Sequence, residues 1–144
     1  MKHLEILESV VEIGLKDFSL KGDPVIYQQR LIKDIAGIFL DQEAVKLIPD
    51  ETLAYNVQSW VPVAEGTSGG LCFGTSTIMP GKVGNEYFMT KGHFHAHSDR
   101  AEFYWGVQGN GMLILMDRNR NTCTIGFGSE IAASGTRDYN QYSS

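Results

Sequence analysis

The sequence has no basic block, no long hydrophobic run, no internal repeat and only two cysteines, and each shortage removes a class of protein. Seventeen acidic residues outnumber twelve lysines and arginines, for a formal net charge of −5 at pH 7. Such a chain lacks the clustered positive charge that grips nucleic-acid phosphates, and it has no attraction for an anionic membrane. Its longest apolar stretches, residues 35–40 and 112–116, fall far short of the roughly 20 residues that a membrane-spanning helix needs. Cys72 and Cys123 are too few for a disulfide framework, so each reads as a small core hydrophobe in a reducing compartment. Acidic residues at positions 5 and 8 interrupt the only candidate signal-peptide core, and a cytoplasmic location is expected.

What is present is the composition of a globular protein. Hydrophobic residues make up 42% and charged residues 20% of the 144, enough for one domain with a core of its own. Leu4, Leu7, Val11, Leu15 and Phe18 recur at helical spacing, although Gly14 weakens that helix. A second stripe, Leu31, Ile35, Ile38 and Phe39, ahead of Pro49, predicts a short helix over about 28–40. From there the pattern turns to strands. Segments 53–63, 71–79, 86–95, 101–107, 111–116 and 122–127 are short and rich in β-branched and aromatic residues, with turn residues between them. Six strands joined at hairpin distance behind one or two helices point to a mostly β protein, an antiparallel barrel or sandwich. Trp60 and Trp105 are expected in the core or an interface, and the apolar alternation thins from Arg118 to Ser144.

Three of the four histidines lie within five residues, in Gly92-His93-Phe94-His95-Ala96-His97. On a strand His93 and His95 would share a face with Cβ atoms about 7 Å apart, close enough for both imidazoles to reach one ion. Glu102 follows His95 by seven positions, across a turn at Ser98-Asp99-Arg100, so an antiparallel return would bring its carboxylate back to the same place. Two imidazoles and a carboxylate suit a first-row divalent metal, Fe, Mn, Ni or Zn, and leave coordination positions open. His97 belongs to the turn and is expected to face solvent, as is His3.

The order Thr77-Ile78-Met79-Pro80-Gly81, Glu86, Thr90, Gly92-His93-Phe94-His95, Glu102, Tyr104 and Gly109-Asn110-Gly111 resembles the archaeal-type, cupin-fold glucose-6-phosphate isomerase family. All twelve fixed positions of that pattern agree over the 35 residues from Thr77 to Gly111. The likeness is close over about 50–117 and looser over 25–50. It implies a cupin-type antiparallel β-barrel, or jelly roll, with residues 1–50 as a helical lead-in and 51–117 as the barrel core. It further implies His93, His95 and Glu102 as ligands of one divalent transition metal, and interconversion of glucose 6-phosphate and fructose 6-phosphate with Glu102 as the base. Thr77, Thr90 and Gly92 match positions that hold the substrate's phosphate, Tyr104 matches a tyrosine of the sugar site, and a homodimer is implied.

The departure lies at the C-terminal side. The family's second motif supplies a further histidine ligand, whereas no histidine follows His97 here. Asp138-Tyr139-Asn140-Gln141 occupies about its place, so Asp138 and His97 are both candidates for the fourth ligand. Residues 118–144 read as an atypical, replaced or frame-shifted end, leaving the barrel incomplete with an edge for a second copy to cover. Two other functions remain beside the isomerase. One is a metal- or sugar-phosphate-binding module without turnover, and the other is an Fe(II) oxygenase built on two histidines and a carboxylate.

Overall fold

The structure is a computed structural model and describes residues 7–64, 66–95 and 101–128. The chain divides into two compact units, Met1–His93 and Phe94–Ser144.

In the first unit, β1 (Glu12–Ile13) and β2 (Leu20–Lys21) form a short antiparallel hairpin. The helix expected over 4–18 is therefore absent from its described part. Leu7 and Leu15 are about four-fifths exposed, and an apolar stripe with no surface to cover it does not sustain a helix of this length. The turn competes successfully for the backbone. Gly14 N–H donates to the Ser19 carbonyl at 2.8 Å, and the Asp17 carboxylate accepts the Ser19 hydroxyl at 2.9 Å and its N–H at 3.2 Å.

A three-stranded antiparallel sheet follows, in the order β3 (Ile26–Leu31), β4 (Leu53–Trp60), β5 (Phe73–Ile78). Residues 28–31 thus pair with β4 and do not open the expected helix, which begins only at α1 (Ile32–Ile35). A 3-10 turn over Ala36–Ile38 and α2 (Gln42–Lys46) come next. Two carboxylates set these starts: Asp34 accepts the Leu31 N–H at 2.9 Å, and Asp41 accepts the Ala44 N–H at 2.9 Å, each satisfying a donor that a helix start leaves open. Of the stripe read from the sequence, Ile35 and Phe39 are buried and Ile38 packs partly buried against them, whereas Leu31 pairs in β3 and Ile32, outside the stripe, takes a core place. Ile32, Ile35 and Phe39 pack with Ala54, Tyr55 and Val83 into one small core, each large apolar side chain contributing about 1.5–3 kcal/mol.

β6 (Lys82–Val83) and β7 (Glu86–Tyr87) form a tight hairpin. Gly84 turns it at φ +56°, and a Cβ there would stand 2.9 Å from Asp41 Oδ2. Glu86 accepts the Leu40 N–H at 2.7 Å, so this motif residue fastens the hairpin to the start of α2. The strand expected over 86–95 stops at Tyr87, and residues 101–107 form no strand. Among the described residues no partner strand lies beside either stretch, and without a ladder β-propensity has nothing to act on.

In the second unit, β8 (Asn110–Met116) pairs with β9 (Thr122–Gly128) over seven positions. The strand expected over 122–127 is thereby found, with residues 117–121 as the hairpin loop; of the end read as atypical, 118–144, only residues 118–128 are described. Asp117 closes that loop by accepting the Asn121 N–H at 2.8 Å and its side-chain amide at 2.7 Å. Residues 129–144 lie outside the described set. Cys72 and Cys123 are exposed and free, so the core positions expected for them are not realised, and Trp105, expected in the core or an interface, is 60% exposed. The architecture is mostly β and antiparallel with short helices, in four separate sheets and no closed barrel among the described residues.

Candidate functional site

Three candidate side chains, those of His95, Glu102 and Tyr104, come together inside the second unit. His95 Nε2 lies 2.9 Å from Glu102 Oε1. The Tyr104 hydroxyl donates to the other oxygen, Glu102 Oε2, at 2.7 Å. Glu102 and Tyr104 are two positions apart, a spacing that places both side chains on the same side of an extended backbone. The fold-back anticipated from the seven-residue interval thus occurs without the two strands that were expected to carry it.

The electrostatics follow from that cluster. Burial of the ring, with the hydrogen bond to Glu102 and the nearby negative charge adding to it, pushes the Tyr104 phenol up to about 12. At neutral pH it is an O–H donor. The His95 and Glu102 side chains are 32% and 42% exposed, open enough for a ligand to arrive from solvent.

The donor set also fits a divalent metal as far as it extends. An imidazole nitrogen and a carboxylate oxygen already lie at contact distance, and both are donor types that suit first-row ions. His93 ends the first unit and is exposed. Among the described residues, no group of three His, Cys, Asp or Glu side chains is gathered as a metal-ligand set. His97 and Asp138, the candidates for a further ligand, lie outside the described residues, as does His3.

The remaining site residues lie in the first unit. Thr77 is on β5, paired across the sheet with Asn56, and is exposed. Thr90 and Gly92 are exposed in the irregular stretch after β7. A Cβ added at Gly92 would meet nothing within 4 Å, so packing within the described residues gives no reason for glycine there. One feature had no forerunner in the sequence: a cleft of about 450 Å³ over β3 and β4, lined by Tyr27, Gln28, Gln29, Asn56, Val57 and Gln58. Its polar side chains read simply as a solvated strand face. The Tyr104 to Glu102 hydrogen bond also went unanticipated, though the two-residue interval was its signal.

Comparison with known proteins bears directly on these residues. The profile of the family described as Glucose-6-phosphate isomerase (GPI) matches residues 29–125, past the limit of about 117 expected from the motif. A glucose-6-phosphate isomerase of Sinorhizobium medicae is 37% identical over 107 residues, covering 72% of this chain and 49% of the relative. One of Thermococcus kodakarensis is 45% identical over 87 residues, covering 60% and 45%. A protein named putative glucose-6-phosphate isomerase 2, of Rhizobium meliloti, is 35% identical over 119 residues, covering 81% and 58%. The chain spans about half the length of the curated relatives it matches.

Proposed function

The chain belongs to the glucose-6-phosphate isomerase family, and from that premise we propose that it is a metal-dependent aldose–ketose isomerase acting on glucose 6-phosphate and fructose 6-phosphate. The observation that carries the reading is the contact of His95 with Glu102 at 2.9 Å, two members of the family motif held together. The reaction moves a hydrogen between C1 and C2 of the open-chain sugar, through an enediol-type intermediate whose oxygens gather negative charge. A divalent Fe, Mn, Ni or Zn ion held by His93, His95 and Glu102 would supply Lewis-acid stabilisation of that charge.

The chain's own groups do the rest. Glu102 is the proton carrier, since a carboxylate beside the reacting carbons can take a proton from one and return it to the other. Thr77 and Thr90 offer hydroxyl donors and Gly92 a backbone N–H, all suited to the oxygens of a phosphate. Membership of the family supports a cupin barrel as the complete architecture. Open strand edges support a homodimer, because an unpaired edge is protected by pairing with another chain. Two exposed free thiols suit a reducing compartment, in keeping with a cytoplasmic enzyme.

The test is fructose 6-phosphate turnover by the purified protein, first stripped by chelator and then given Mn, Fe, Ni or Zn. Turnover restored by metal is the expected result. Bound metal with no turnover would leave a binding module in place of an enzyme, and oxygen uptake would point to the oxygenase. Sedimentation of the same preparation as a monomer would remove the dimer.

A further inference from the structure

We propose that Tyr104 is a positioning residue for Glu102: its hydroxyl holds one carboxylate oxygen so that the other is turned to His95. The inference rests on the metal-site reading above and deepens it.

A glutamate carboxylate has two equivalent oxygens and a broad, nearly free terminal torsion. At 42% exposure, packing alone does little to restrain that of Glu102. The two hydrogen-bonding neighbours divide its oxygens between them, Tyr104 on Oε2 at 2.7 Å and His95 on Oε1 at 2.9 Å. The tyrosine ring is about half exposed but turns on only two side-chain torsions, so its hydroxyl is presented from a stiff stem.

The hydroxyl's own chemistry argues against a sugar contact through donation. A phenol carries one proton, and the Tyr104 proton is already directed to Glu102. What remains is an acceptor lone pair. Ligating carboxylates elsewhere are similarly fixed by hydrogen-bond partners outside the ligand set, and removing such a partner typically costs about 10–100-fold in metal affinity or activity.

Tyr104→Phe deletes only the hydroxyl and leaves the ring. Zn²⁺ and Mn²⁺ affinities of the chelator-stripped protein, read by competition with a chromogenic chelator, are expected to fall about 10–100-fold. The Kd for fructose 6-phosphate at saturating metal should stay within about twofold of wild type. In a Glu102→Ala background, which removes the acceptor, the same substitution should change metal affinity by less than about twofold, because two residues acting through one interaction are not additive. Unchanged metal affinity with weakened sugar-phosphate binding would overturn the inference and make Tyr104 a substrate contact. Equal losses in both backgrounds would also overturn it, as the mark of a purely structural role. A wild-type protein that binds neither metal would overturn the metal-site reading itself, an outcome distinct from either of these.

Discussion

Glu102 carries the heaviest load of any side chain, as proposed metal ligand, proton carrier and acceptor for Tyr104. Glu102→Gln keeps the size of the group and removes its basicity, so turnover should fall about 10²–10⁴-fold, the usual worth of a positioned base. Full turnover with unchanged metal content would refute the assignment. The ligand set is checked separately by His93→Ala combined with His95→Ala, which should strip bound metal to background by elemental analysis; equal content in variant and wild type would refute the site. These residues were legible because motif spacing is a local property. Seven positions from His95 to Glu102 bridge a turn, and two from Glu102 to Tyr104 preserve a side. Which atoms would meet was not legible. That the Tyr104 proton goes to Oε2 and the His95 nitrogen faces Oε1 depends on torsions that spacing does not constrain.

Elements were read unevenly, for a reason that the β8–β9 hairpin makes plain. Its strands alternate cleanly and were anticipated within a residue or two, and the polar run between them, where the atypical end was expected to begin, is their loop. Arg118-Asn119-Arg120-Asn121 is polar because it is a turn, and Asp117 closes it. Hydrogen bonds from the Asn121 side chain and N–H hold the Asp117 carboxyl below its ordinary value of 3.8. A lowered carboxyl stabilises the folded form above its unfolded value, and that contribution is lost as pH falls through the folded value. Amide exchange over residues 110–128 should therefore, after correction for the intrinsic rate, lose protection in acid, below about pH 4. Asp117→Ala should show lower protection at neutral pH and no such acid-dependent step. An Asp117→Ala hairpin as protected as wild type at pH 7 would refute this account of the loop. The helices were misplaced for the opposite reason. Residues 28–31 satisfy a helical stripe and a strand equally well, and only the presence of β4 alongside decides for the strand.

For the molecule as a whole, stability is concentrated in few groups. The buried cluster of the first unit holds six residues, Ile32, Ile35, Phe39, Ala54, Tyr55 and Val83, while Met112, Ile114 and Met116 on β8 are about half exposed or more. Phe39 is 3% exposed and central to that cluster. Phe39→Ala should cost about 3–5 kcal/mol, a large part of the 5–15 kcal/mol typical of a folded domain. Urea denaturation followed by circular dichroism measures this, and a midpoint unchanged from wild type would show that the cluster is not the stabilising core. No described helix is long and apolar enough to cross a membrane.

The sequence by itself determined the family, the motif that would carry the chemistry, the predominance of short antiparallel strands and, of the stripe Leu31, Ile35, Ile38 and Phe39, the two residues Ile35 and Phe39 that are buried. All of these are matters of residue type and short interval, which the chain states directly. Tertiary structure alone decided that residues 26–31 pair and do not coil, that Leu7 and Leu15 find no surface to form a helix against, and that residues 88–95 and 101–107 lack a ladder. It also decided that Glu86 ties a hairpin to α2 and that Tyr104 engages Glu102. The physical reason is common to the first three. A strand needs a partner and a helix of modest length needs a face to cover, and both are supplied by residues distant in sequence, whose positions no local pattern encodes.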